Sequence, residues 1–210
     1  MKHWLDRNFS QPAAFVARLV RHNDTRHIVF TSASAGEGTT TTVLGIAREL
    51  NVTYGLKVLA LEINPRSGGF GAMLKLDESP YEHTGESSLS VEYIRRAAGG
   101  YGLLTICGKE FKSNARAHTA VLLRQVLLSL ADKFNVILID APPLLEYPET
   151  LTAAPEADGV VFVVESGHTR QEMLSQVRRL FEAEKVGLLG SVLTKQKHVI
   201  PNWIYRLLFK

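Results

Sequence analysis

Cysteine, long apolar runs and strong net charge are all scarce in this sequence of 210 residues. The single cysteine, Cys107, excludes a disulfide framework and a cysteine-rich metal site, and it suits a reducing cytoplasm. No run of about 18 apolar residues is present, so we expect no helix that crosses a membrane. The first residues lack the apolar core of a signal peptide. We therefore expect a cytoplasmic protein with one sizeable core.

The net charge is only +3, and it is distributed unevenly. Residues 195–210 hold four basic side chains and no acidic one, and residues 201–210 are also rich in aromatic and apolar side chains. Three interpretations of this tail stay open: peripheral contact with a membrane surface, a helix for the groove of a partner, or a cover for the edge of its own sheet. So small a basic segment does not indicate a nucleic-acid-binding protein.

Apolar runs alternate with helix-length segments along the chain. Continuous runs occur at 27–31, 57–61, 102–107, 135–140, 159–164 and 188–193, and helical spacing occurs at 11–21, 40–54, 118–133 and 170–185. Continuous apolar runs are typical of parallel strands buried on both faces, and helix-length connections indicate right-handed crossovers. The sequence therefore predicts an α/β fold, a doubly wound, mostly parallel sheet flanked by helices. One further short helix is expected at Val91–Ala97.

A glycine-containing turn, Ser32–Thr41, joins the first predicted strand to a predicted helix. Such a turn presents backbone N–H groups and the positive end of the helix dipole to an anion. Its glycines let a phosphate approach the backbone closely. The threonine run is expected to cap the helix and, at Thr40, to offer a ligand to Mg²⁺. The candidate nucleotide-binding residues are Gly36, Glu37, Gly38, Thr39, Thr40 and Thr41.

The turn lacks the lysine that a working phosphate loop places against the β- and γ-phosphates. Thr39 occupies that position, and Ser34 occupies the position of a second lysine in the deviant Walker A subclass. No basic residue lies between His27 and Arg48, and losing one charge-assisted contact costs roughly 1.5–3 kcal/mol. Three hypotheses stay open: a tight turn without a ligand, weak nucleotide binding, or catalysis completed by a cation from elsewhere.

Two other predicted strands end in acidic residues. Asp140 precedes two prolines, and we interpret it as a Walker B carboxylate that holds Mg²⁺ through water; the alternative is a simple turn cap. Glu62 ends the second strand, where Asn64 has the shape of an aspartate but no charge to act as a base or strong metal ligand. The candidate catalytic residues are Asp140 and Glu62, and the candidate metal ligands are Thr40 and Asp140.

The order of these motifs over about residues 11–195 resembles the cytoplasmic domain of bacterial tyrosine kinases and their relatives in capsule and exopolysaccharide export. This group is a branch of the MinD/ParA-like P-loop ATPases. The matching segments are Thr31–Thr41, Val58–Arg66, Val136–Pro143, Ala157–Val164 and Gly190–Thr194. The resemblance implies ATP and Mg²⁺ as cofactors and an inner-membrane polysaccharide chain-length or export protein as partner. We expect a helical segment at 1–25, a P-loop domain at 26–195 and a tail at 196–210.

Several positions depart from the pattern of that family. Thr194 stands at the expected base-contacting asparagine, and Tyr205 is the single tyrosine of the tail. Phe15, followed by Arg18 and Arg21, replaces the glutamate of a motif that ring-forming members use, so homo-oligomerisation stays open. We therefore predict a degenerate, pseudokinase-like regulator or scaffold in exopolysaccharide production, cytoplasmic or peripheral at the inner membrane. The alternative is an active tyrosine kinase or ATPase with an atypical loop, activated by a membrane partner.

Overall fold

The computed structural model describes residues 8–64, 69–74, 95–96, 100–107 and 116–196. Within these residues, seven strands alternate with five α-helices, and two short 3-10 helices precede the sixth strand. The strands are β1 (His27–Ser32), β2 (Val58–Asn64), β3 (Arg95–Arg96), β4 (Gly102–Cys107), β5 (Val136–Asp140), β6 (Gly159–Glu165) and β7 (Leu188–Thr194). The helices are α1 (Ser10–His22), α2 (Thr39–Tyr54), α3 (Gly69–Leu74), α4 (Arg116–Leu130) and α5 (Gln171–Ala183), and the 3-10 helices are Pro148–Thr152 and Ala154–Glu156.

The described strands form one sheet in the order β3-β4-β2-β5-β1-β6-β7. Every neighbouring pair is parallel except β3 and β4. The two central strands, β5 and β1, are buried almost throughout, as their uninterrupted apolar sequences require. The predicted doubly wound, mostly parallel sheet is confirmed.

Each face of the sheet buries its own apolar cluster. Because side chains alternate across a strand, Ile28 and Phe30 of β1 join the cluster under α1 and α2. Val29, between them, joins the opposite cluster with Leu127 of α4 and Phe181 of α5. Helices therefore cover both faces and leave the two ends of the sheet accessible, and the carboxyl end is where ligands bind in such folds.

The predicted strands and long helices are found within a few residues of their expected bounds. The short helix expected at Val91–Ala97 is wrong at Arg95 and Arg96, which form β3 and pair antiparallel with Leu103 and Gly102. Its other residues lie outside the described part of the chain. Pairing with the open edge of β4 supplies hydrogen bonds that helical spacing in the sequence cannot anticipate.

Two residues of the opening helix make contacts within the chain. The Phe15 ring packs against Gly190 of β7, and the Arg21 guanidinium lies 5.7 Å from the centre of the Tyr54 ring. Residues 197–210 of the tail, which include its single tyrosine, lie outside the described residues. None of the helices in the described ranges is long and apolar enough to cross a membrane.

Candidate functional site

A cleft of about 400 Å³ opens at the carboxyl ends of β1, β2 and β5. Three loops line it: the turn between β1 and α2, which we call the phosphate loop (residues 33–38), the end of β2, and the segment after β5. The sequence predicted that these segments meet, because the carboxyl ends of parallel strands lie at one edge of a sheet. The lining residues are Ser32, Ala35, Gly36, Gly38, Thr39, Thr40, Thr41, Glu62, Ile63, Asp140, Ala141, Pro142, Pro143, Glu146 and Tyr147.

The backbone of the phosphate loop depends on its two glycines. Gly36 has a φ of 84° and Gly38 a φ of 96°, in the left-handed region that side chains with a Cβ disfavour. The expectation that threonine hydroxyls cap α2 is wrong. The capping position falls on Gly38, and no side chain caps the helix there. The threonines lie inside the first turn, where Thr42 donates its hydroxyl back to the Gly38 carbonyl at 2.8 Å.

Glu37 belongs to the phosphate loop, but its side chain is buried beneath the loop backbone and does not line the cleft. Its side chain is fully buried and accepts hydrogen bonds from the Ala33 N–H at 3.3 Å and the Thr169 hydroxyl at 3.0 Å. Burial raises the pKa of this carboxyl, and the hydrogen bonds from Thr169, Ala33 and the Ser34 N–H oppose that rise. Glu37 therefore joins the loop to the segment between β6 and α5.

Asp140 and Glu62 lie side by side in the parallel register of β5 and β2, and both are nearly inaccessible to solvent. Burial raises the pKa of Asp140 to about 8, a hydrogen bond from the Thr40 hydroxyl opposes this shift, and the charge of Glu62 adds to it. Asp140 therefore holds a proton at neutral pH unless a cation lies beside it. The structure brings the two predicted metal ligands, Asp140 and Thr40, into contact.

Glu62 anchors the short helix α3 to the sheet. Both of its carboxylate oxygens lie 3.1 Å from the Phe70 N–H, and Oε2 accepts a hydrogen bond from the Thr105 hydroxyl at 3.1 Å. The side chain of Asn64 and residues 65–68 lie outside the described part of the chain.

Oxygen atoms that suit Mg²⁺ are present in the cleft, on Asp140 and Thr40. In the described part of the chain, no group of three or more His, Cys, Asp or Glu side chains is placed to hold a metal ion. Because Mg²⁺ usually keeps several waters and binds through one or two carboxylates plus substrate phosphates, these two residues fit a magnesium that arrives with a nucleotide.

Lys195 contacts the phosphate loop, although no motif in the sequence marks it as a site residue. It follows β7, and its ammonium donates to the Gly36 carbonyl at 2.7 Å and contacts Glu165 Oε2 at 2.8 Å. The adjacent Thr194 hydroxyl donates to the Glu37 carbonyl at 2.6 Å. Its position in the sequence could have indicated this contact, because a residue directly after a parallel strand lies at the ligand-binding edge of the sheet.

The electrostatics of the cleft are acidic. Its described lining holds three acidic side chains, Glu62, Asp140 and Glu146, and neither a lysine nor an arginine. The nearby ammonium of Lys195 is paired with the carboxylate of Glu165. The cleft therefore offers oxygen ligands and the dipole of α2 to a ligand, but the described part of its lining offers no cationic side chain to a phosphate.

The chain is similar to the tyrosine-protein kinase YwqD of Bacillus subtilis (strain 168), with 23% identity over 178 residues that cover 82% of this chain and 73% of the relative. The resemblance to bacterial tyrosine kinases is confirmed. No protein-family model matches the chain.

Two solved structures show what the fold resembles. The VpsO kinase domain superposes with a TM-score of 0.72 and 22% identity, over 90% of this chain and 96% of that domain. Cobyrinic acid a,c-diamide synthase from Mycobacterium smegmatis, solved with ADP and magnesium, superposes with a TM-score of 0.64 and 21% identity over 88% of this chain and 80% of the synthase. At these identities the likeness establishes a P-loop NTPase-like fold.

Proposed function

We propose that this protein is a degenerate relative of the bacterial tyrosine kinases that regulates or scaffolds exopolysaccharide production, with weak or absent ATP turnover. The observation that carries the proposal is the described lining of the cleft, which holds three acidic side chains and no lysine or arginine. Phosphoryl transfer depends on positioning and on cations that neutralise the charge on the transferred group. Asp140 and Thr40 supply a place for Mg²⁺, but Thr39 supplies no charge.

The uncapped start of α2 supports retained, weak binding of Mg-ATP or Mg-ADP. No side chain caps the first turn of α2, so its N–H groups and dipole face the cleft and favour an anion. Losing one charge-assisted contact lowers affinity by about ten- to a hundred-fold. We therefore expect dissociation constants near the millimolar range and no efficient catalysis.

The pathway and partners of the proposal rest on the resemblance of the motifs. We place the regulatory function in the domain at 26–195, at the cytoplasmic side of an inner-membrane polysaccharide chain-length or export protein. The basic aromatic tail at 196–210 is the segment we assign to contact with that partner or with the membrane surface.

Calorimetric titration with Mg-ATP, combined with an autophosphorylation assay, tests this function. We expect weak binding and no phosphotyrosine. The Thr39→Lys variant is the matched positive control, because restoring one cation should tighten binding by about tenfold or more. Robust turnover by the native chain that Asp140→Ala abolishes would contradict the proposal.

A second candidate function is an active ATP-dependent tyrosine kinase or ATPase with an atypical loop. The contact between Lys195 and the Gly36 carbonyl at 2.7 Å favours it, because a cation from β7 reaches the phosphate loop. This candidate predicts turnover when the membrane partner is added, and loss of that turnover in Lys195→Met. It fails if Thr39→Lys creates activity that the native chain lacks even with its partner.

A further inference from the structure

Glu146 reaches the phosphate loop from the segment that follows Asp140. Its Oε1 atom accepts a hydrogen bond from the Ala35 backbone N–H at 2.8 Å, and both residues line the cleft. An acidic side chain of this protein therefore accepts a hydrogen bond from a backbone N–H of the phosphate loop, where we expect a phosphate to bind.

Backbone hydrogen bonds hold Glu146 in this place. The Leu144 N–H donates to the Ser32 carbonyl at 2.8 Å, and the Leu145 N–H donates to the Ala33 carbonyl at 3.3 Å. The segment before Glu146 thus runs along the start of the loop residue by residue. These bonds fix the backbone that carries the exposed Glu146 side chain next to the loop.

Three successive amides of the loop donate to carboxylates of this chain. The Ala33 and Ser34 N–H groups donate to the buried Glu37, and the Ala35 N–H donates to Glu146. A carboxylate accepts a charge-assisted hydrogen bond in the same way as a phosphate oxygen. Of these two acceptors, Glu37 lies under the loop and Glu146 lies in the cleft, so Glu146 is the one that a ligand would meet.

We propose that Glu146 is an intramolecular competitor of phosphate, so that a nucleotide binds only when Glu146 has released Ala35. The inference rests on the proposed function, since it explains the weak binding at the same loop. It attributes part of the low nucleotide affinity to the Glu146 carboxylate, in addition to the absence of a lysine at position 39. The ligand class is a magnesium-bound diphosphate or triphosphate.

Titration of the full chain with Mg-ADP and, separately, with magnesium pyrophosphate tests the proposal. We compare Glu146→Gln, which keeps an acceptor and removes the charge, with Glu146→Ala, which removes both. Each variant should bind both probes about tenfold more tightly than the native chain. Without ligand, Glu146→Ala should have a lower thermal midpoint, because the loop loses its acceptor. The control, Glu184→Gln, changes an exposed glutamate at the end of α5 and should bind as the native chain does.

Unchanged or weaker binding in both variants would overturn the proposal, because a side chain that only supports the loop predicts that result. Absence of binding by native chain and variants alike would also overturn it, while leaving the non-catalytic function standing. Tighter ADP binding without tighter pyrophosphate binding would show that Glu146 acts on the nucleoside and would equally contradict it. Turnover by the native chain would contradict the proposed function and leave the comparison of affinities intact.

Discussion

Asp140 is buried at the carboxyl end of β5, and its burial makes the stability of the protein depend on pH. The pKa of its carboxyl is raised from 3.8 to about 8 by burial. The native state therefore binds this proton more tightly than the unfolded chain does. The resulting stabilisation is complete below a pH of about 4 and is lost as the pH rises through about 8.

The Asp140→Asn variant should remove this pH dependence. Between pH of about 4 and about 8, the unfolding free energy of the native chain should fall relative to the variant by up to about 1.4 kcal/mol per pH unit. Urea denaturation of both proteins across that range, without Mg²⁺, measures the difference. Asp132→Asn, at an exposed aspartate on the opposite end of the sheet, is the control. Parallel curves for the native chain and Asp140→Asn would contradict the prediction.

The residues of the cleft divide into those that sequence could predict and those that it could not. Asp140 and Glu62 end apolar strands, so their meeting at one edge follows from the parallel fold. Glu146 and Lys195 contact the loop across separations of 111 and 159 residues. The directions of these two side chains depend on the geometry of turns, which the spacing of apolar residues in the sequence does not predict. The sequence motif includes Glu37 among the candidate nucleotide-binding residues. Its burial beneath the loop becomes visible only in the structure, where Thr169 donates a hydrogen bond to its side chain.

The helix α2 is flanked on both sides by glycines that adopt left-handed backbone angles. Gly38 precedes it with a φ of 96°, and Gly55 follows it with a φ of 66°. Its end at Gly55 was predictable, because glycine commonly occupies that position. Its start was not, since a threonine run next to a glycine allows several capping registers.

Alanine at either end of α2 should cost stability for the same reason. An added Cβ meets open space at Gly55 and ordinary contacts at Gly38, so the cost of about 1–2 kcal/mol is conformational. Gly38→Ala alone should also reduce the thermal stabilisation that millimolar Mg-ADP gives, because it shifts the amides of the first turn. Gly55→Ala serves as the matched control. Equal responses of both variants to Mg-ADP would show that the loop geometry does not matter for binding.

Across the whole molecule, the carboxyl end of the sheet is held by contacts between distant parts of the chain. The Thr31 hydroxyl donates to the Pro142 carbonyl at 2.8 Å, and Thr169 and Thr194 both bond to Glu37. The loop between β1 and α2 therefore acquires its shape only when β5, β6 and β7 are in place. This is why its motif predicts a fold more securely than it predicts an activity.

The link between β7 and the phosphate loop should be measurable in a Lys195→Met variant. Removing the ammonium frees the Gly36 carbonyl and leaves Glu165 without this ion pair. Because Lys195 is partly exposed, the contact stabilises the loop by about 0.2–1 kcal/mol, which corresponds to amide exchange in residues 33–41 up to about fivefold faster.

Hydrogen–deuterium exchange of peptides covering that loop measures the effect, and peptides from β5 provide an internal reference. Lys133→Met is the matched control, since Lys133 is exposed at the opposite end of the sheet. If the two variants change the exchange of the loop equally, or if Lys195→Met changes nothing, the Lys195 ammonium does not stabilise the phosphate loop. Faster exchange confined to Lys195→Met would mean that the residue directly after the outermost parallel strand stabilises the phosphate loop through its ammonium group.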